Sequence, residues 1–65
     1  MLKTEKSILS EFYSENETIR TNVVHYRMNG MSTYEVNKYV GDIRETIGYY
    51  TTEEKAEAIA EDCVL

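Results

Sequence analysis

His25 and Cys63 are the side chains best suited to act as general base, nucleophile or soft metal ligand, and each stands alone. A general base needs an orienting partner, and a structural zinc needs about four ligands at close spacing. His25 has no second histidine in the chain and no aspartate within several residues. Cys63 completes the stripe Ala56, Ile59, Ala60, Cys63 at helical spacing, so it reads as a small buried hydrophobe. Ser32 lacks the flanking glycines of a nucleophile elbow, and Gly30, Gly41 and Gly48 are too isolated to form a phosphate-cradling loop. A chain of 65 residues fills one core and has little left to wall a pocket of roughly several hundred Å³. No catalytic residue, cofactor or metal site is expected; the chain reads as a binding protein and not an enzyme.

The remaining chemistry lies in charge and aromatic groups. The formal net charge is −5, and it is uneven. Acid collects at the ends, in Glu11, Glu15 and Glu17 and again in Glu53, Glu54, Glu57, Glu61 and Asp62, while the middle is near neutral. Direct nucleic-acid binding needs a basic footprint, which the sequence does not offer. The C-terminal acids could imitate a phosphate track, but one solvated helix face is the simpler reading. Six tyrosines are many for this length, and tyrosine is enriched where binding energy concentrates.

The elements that must position these groups are four. Thr4 can cap a helix over about Glu5 to Glu15, with Ile8, Leu9 and Phe12 as its apolar stripe. Residues 18–50 are dense in Thr, Val, Ile and Tyr, which favour strands. Asn29-Gly30 and Gly41-Asp42 are two-residue hairpin signals. Thr51 or Thr52 caps a last helix that opens on Glu53 and Glu54. The fold class expected is α+β, a single domain over 1–65: N-terminal helix, three-stranded antiparallel meander, C-terminal helix. The alternative is an all-α three-helix domain. It rests on Val36, Tyr39, Val40, Ile43 and Ile47 at helical spacing, with Ser32 and Glu35 as a capping box.

Register sharpens the strand reading. A turn at Gly41-Asp42 sets Val40 against Ile43, Lys38 against Glu45, Val36 against Ile47 and Tyr34 against Tyr49, all on one face. Tyr39, Asn37 and Tyr50 fall on the other face. At Asn29-Gly30 a two-residue turn pairs His25 with Tyr34, and a three-residue bulged loop pairs Tyr26 with Tyr34. The bulged form is preferred because it buries Tyr26 and leaves His25 wet.

The stretch Gly48-Tyr49-Tyr50-Thr51-Thr52-Glu53-Glu54-Lys55-Ala56 reads as a strand running into a helix. The expected meander packed against helix resembles, over about half the chain, the layout of AP2-type and integrase-arm DNA-binding domains. Those domains read DNA with a basic sheet face; here that face mixes Arg44 with Glu35, so the likeness extends to layout alone.

Function is expected from surfaces. In a three-stranded meander the strand around Arg20 to Met28 is an edge, and Thr21-Asn22-Val23-Val24-His25-Tyr26 is uncharged at neutral pH. Such an edge invites a strand from a symmetry mate or a partner. The expected partner-binding residues are Val24 and Tyr26 on that edge and Tyr39 and Tyr50 on the second face, and a homodimer is expected. The protein reads as an acidic interaction module, of the kind phages encode to modulate or inhibit a host protein. The alternatives are an acidic nucleic-acid mimic and a structural subunit of a larger assembly. A lone cysteine suits a reducing compartment. No apolar run approaches the roughly 20 residues of a membrane span, and Met1 to Lys6 does not resemble a signal-peptide core. A cytoplasmic location, with no membrane partner, is expected.

Overall fold

Asn29 and Gly30 hold φ of 54° and 77°, the two consecutive positive values that a type I′ turn demands. They join β2 (Ile19–Met28) to β3 (Met31–Val40), with Met28 directly opposite Met31. Gly41, at φ 60°, opens the second two-residue turn, between β3 and β4 (Ile43–Tyr50). The computed structural model describes residues 4–65; of the N-terminal stretch read against a signal peptide, Met1 to Lys3 lie outside it.

The N-terminal helix of the sequence reading is not formed. Thr4–Tyr13 is a strand, β1, and pairs antiparallel with β2 from Thr4 opposite Met28 to Tyr13 opposite Arg20. The expected three-stranded meander is therefore a four-stranded antiparallel sheet, in order β1-β2-β3-β4, followed by a single helix α1 (Glu53–Asp62). The all-α alternative fails with it. A short isolated helix is marginal in water, whereas β2 offers a full row of unpaired donors and acceptors. Ladder pairing along ten residues outweighs the helical stripe.

This pairing overturns the assembly argument as well. β2 is flanked on both sides by the chain's own strands, so the edge expected to recruit a second copy is already occupied. The true edges are β1 and β4, and each is bulged, at Leu9 and at Ile47. A bulge twists an edge away from a further strand.

Helix α1 starts where Thr52, in extended conformation, accepts a hydrogen bond from the Lys55 backbone N–H, with Glu53 and Glu54 in the first turn. Its Ala56 and Ala60 are fully buried against Val23 and Val36, also fully buried, with Phe12, Tyr34, Ile47, Tyr50 and Ile59 around them. Small side chains at 56 and 60 let the helix lie close to the sheet. Two side-chain hydrogen bonds pin it: Thr21 Oγ1 donates to the Ala60 carbonyl at 2.8 Å, and Ser10 Oγ donates to the Glu57 carboxylate. Cys63 is half-buried and forms the helix C-cap.

A ten-residue helix is about 15 Å long, and ten-residue strands run about 33 Å. The helix therefore covers only part of one face of a molecule 43 Å long. Among the described residues no helix is long and apolar enough to cross a membrane.

Candidate functional site

The face of the sheet turned away from α1 is the largest feature left without a covering element. Register builds it in rows across the strands. One row runs Tyr13, Arg20, Tyr39, Arg44; the next Glu11, Asn22, Asn37, Thr46; the next Ile8, Val24, Glu35, Tyr49. Beyond them Lys6 lies opposite Tyr26.

Long side chains roof the central rows. The Arg20 guanidinium sits 4.3 Å from the Tyr39 ring centre and ion-pairs with Glu11 at 3.2 Å. The Lys6 ammonium lies 5.8 Å from the Tyr26 ring centre. Beneath this roof Asn22, Val24, Glu35 and Asn37 are buried although no helix covers them. Their polar groups are met by neighbours. Asn37 Nδ2 donates to Asn22 Oδ1 at 3.2 Å, and Thr46 Oγ1 donates to Asn37 Oδ1 at 3.0 Å.

Asn37→Ala is expected to cost about 1–3 kcal/mol, because it strips partners from a buried amide and a hydroxyl at once. Chemical denaturation measures it. A loss well under 1 kcal/mol on the same scale would show that the amide ladder contributes nothing.

The Tyr26 phenol titrates above its ordinary value. Burial is the main cause; the neighbouring Glu35 carboxylate adds to it by charge and by hydrogen bonding, Tyr49 adds further, and Arg44 opposes. An unfolded tyrosine ionises near pH 10, about where the folded one still holds its proton. The unfolded state then binds fewer protons, so this stabilisation is complete below about pH 10 and is lost as pH rises through the folded value. Phenolate absorbance should show a late step that Tyr26→Phe removes. A titration curve unchanged by Tyr26→Phe would contradict the assignment.

The four residues singled out from the sequence scatter. Tyr39 and Tyr26 do lie on the open face. Val24 is on it too, but it is 3% exposed and belongs to a central strand, so it offers no edge. Tyr50 is on the helix side. The bulge at Ile47 shifts β4 by one residue, pairing Tyr34 with Tyr50 and Val36 with Gly48. The Tyr50 ring folds over Gly48, whose missing Cβ would stand 2.9 Å from the Tyr50 hydroxyl. Tyr49 takes the open-face place expected for Tyr50.

The preferred bulged loop at Asn29-Gly30 is corrected in the same way. The tight turn pairs His25 with Tyr34 on the helix side. There the two rings stack at 4.7 Å and 8°, and His25 Nε2 bonds Ser32 Oγ at 2.8 Å. The turn geometry of Asn-Gly decides, and Tyr26 finds cover against Glu35 instead of in the core.

Sequence reasoning missed Tyr13, hidden in the supposed helix, and the pairing of Arg20 with Tyr39. It also missed the cleft they form. Tyr13, Arg20 and Tyr39 line a cavity of about 540 Å³ with Glu17, Thr18, Val40 and Gly41. Among the described residues no group of three or more His, Cys, Asp or Glu side chains is placed to hold a metal.

Charge divides between the two sides. The open face sets Lys6, Arg20 and Arg44 against Glu11 and Glu35, and helix α1 sets Lys55 against Glu53, Glu54, Glu57, Glu61 and Asp62. Comparison with protein-family models, with curated proteins and with solved structures finds no match in any of the three. The functional reading therefore rests on the face itself.

Proposed function

We propose that the protein is a non-enzymatic module that binds another protein through the open face of its sheet. The observation that carries this reading is the aromatic and cationic lattice of Tyr13, Arg20, Tyr26, Tyr39, Arg44 and Tyr49 on a face that α1 leaves bare. Tyr13 is 53% and Tyr49 64% exposed, and tyrosine and arginine are the side chains that concentrate binding energy at protein interfaces. Bulged edges direct recognition to the face and away from strand addition. A net charge of −5 sets nucleic acid aside as the ligand. Such a module acts by occupying a partner's surface, as a modulator or inhibitor of that partner, and a reducing cytoplasm suits its single thiol.

The test is affinity capture from the source cell with three baits: wild type, Arg44→Ser/Tyr49→Ser, and Glu54→Gln/Glu61→Gln. All four substituted side chains are exposed, so the fold is retained. A protein held by the wild type and the helix variant but lost by the face variant is the expected result. Loss with the helix variant alone, and steeply with salt, would instead identify an acidic nucleic-acid mimic.

A further inference from the structure

The cleft at the Tyr13 end of the open face carries its own charge logic. It is lined by Tyr13, Arg20 and Tyr39 of the face, by Glu17 and Thr18 in the β1–β2 loop, and by Val40 and Gly41 at the β3–β4 turn. Two ionised groups line it. Arg20 is committed: its guanidinium ion-pairs with Glu11 at 3.2 Å and lies over Tyr39. Glu17 has no ion-pair partner among the described residues. With the Tyr39 ring already covered by Arg20, the cleft presents one uncompensated carboxylate, Glu17, and one uncommitted aromatic side chain, Tyr13, groups that attract cations.

The backbone supports the choice of group. Glu17 holds φ 58°, a left-handed position that a glycine fills without strain. The loop is closed around it by Glu17 N–H donating to the Ser14 carbonyl at 2.8 Å and by Thr18 Oγ1 donating to Asn16 Oδ1 at 2.8 Å. The turn would form more readily with glycine there, so the carboxylate is not explained by the turn.

We infer that this cleft receives an arginine or lysine side chain from a basic segment of the partner protein. The inference deepens the face-binding proposal and rests on it. Charge agrees at both scales: the cleft carries one free carboxylate, and the whole chain is at −5, which draws a basic partner and repels a second copy of itself. A cation entering the cleft finds Glu17 and Tyr13 among its lining residues.

The probes are Ac-Gly-Arg-Gly-NH₂ and, as the charge-reversed control, Ac-Gly-Glu-Gly-NH₂, titrated into ¹⁵N-labelled protein. The arginine peptide is expected to give weak, saturable amide shifts at Glu17, Thr18 and Gly41, and the glutamate peptide none. Glu17→Gln should weaken the arginine peptide about three- to fivefold, as an exposed ion pair does. Glu17→Gly should do the same while keeping the loop, because glycine suits the positive φ. Absence of saturable shifts, equal binding of the glutamate peptide, or unchanged affinity in Glu17→Gly would overturn the inference. Arg44→Ser/Tyr49→Ser lies outside the cleft and separates the two proposals. If that variant loses the captured partner while Glu17→Gly keeps it, the cleft inference alone fails. If both variants keep the partner, the face is not the contact surface.

Discussion

Val24→Pro is expected to unfold the domain. Val24 lies on β2, between Ile8 of β1 and Glu35 of β3, and is 3% exposed. A central strand has no idle N–H, so proline there removes a ladder bond and leaves a buried carbonyl unmet. The orphaned acceptor alone costs about 1–3 kcal/mol, and the fixed φ adds strain in an extended strand. A core of this size supplies only about 3–5 kcal/mol. Circular dichroism during thermal melting measures the effect, with Val24→Thr, which keeps the N–H and the β-branched shape but buries a hydroxyl, melting below the wild type and well above Val24→Pro. Because Met28 and Met31 flank a two-residue turn, Val24 and Glu35 are a hydrogen-bonded pair. A Val24→Pro protein that melts like the wild type would therefore mean that β2 does not pair with β3 in this register.

Val36→Asp should be as damaging through a different link. Val36 is fully buried where β3 meets Ala56 and Ala60. Burying an unpaired carboxylate there costs several kcal/mol, on top of about 1.5–3 kcal/mol of lost apolar burial. The domain should be largely unfolded at neutral pH. Val40→Asp is the control, on the same strand and the same side but 47% exposed, and should change stability by less than about 1 kcal/mol. Equal effects at the two positions would show that α1 does not pack on Val36.

What the sequence revealed and what it hid both have physical causes. The two hairpins and the last helix were legible because turn and cap chemistry is local. Asn29-Gly30 and Gly41-Asp42 specify their own backbone, and Thr52 its own cap. The first strand was not legible, because its bulge at Leu9 disturbs the alternation and sets Ile8, Leu9 and Phe12 at the spacing of a helical stripe. Its helix-side face also reads Glu5, Ser7, Ser10, Phe12, nearly all polar, since α1 reaches only the Phe12 end and Ser10 is spent on Glu57.

The exchange of Tyr50 for Tyr49 has a similar origin. Ile47 is an extra residue in the ladder, and every side chain after it changes face. An isolated glycine inside a strand pattern is the usual mark of such a bulge, and Gly48 was that mark. The pairs Tyr39 with Arg44 and Asn37 with Thr46 lie before the bulge and stand where the sequence placed them. The cleft was out of reach of pattern reading, because Tyr13, Glu17 and Gly41 come from three segments that only β1 pairing brings together.

Tyrosine itself is the reporter for the central claim. Four rings, of Tyr13, Tyr26, Tyr39 and Tyr49, are on the open face, and two, of Tyr34 and Tyr50, are on the helix side. Ring-labelled tyrosine in the protein, observed by NMR with and without the captured partner, reads both faces at once. The account predicts that resonances from the open face shift, with Tyr13, Tyr39 and Tyr49 foremost, and that Tyr34 and Tyr50 hold still. Shifts confined to Tyr34 and Tyr50, with the open-face rings unmoved, would contradict it.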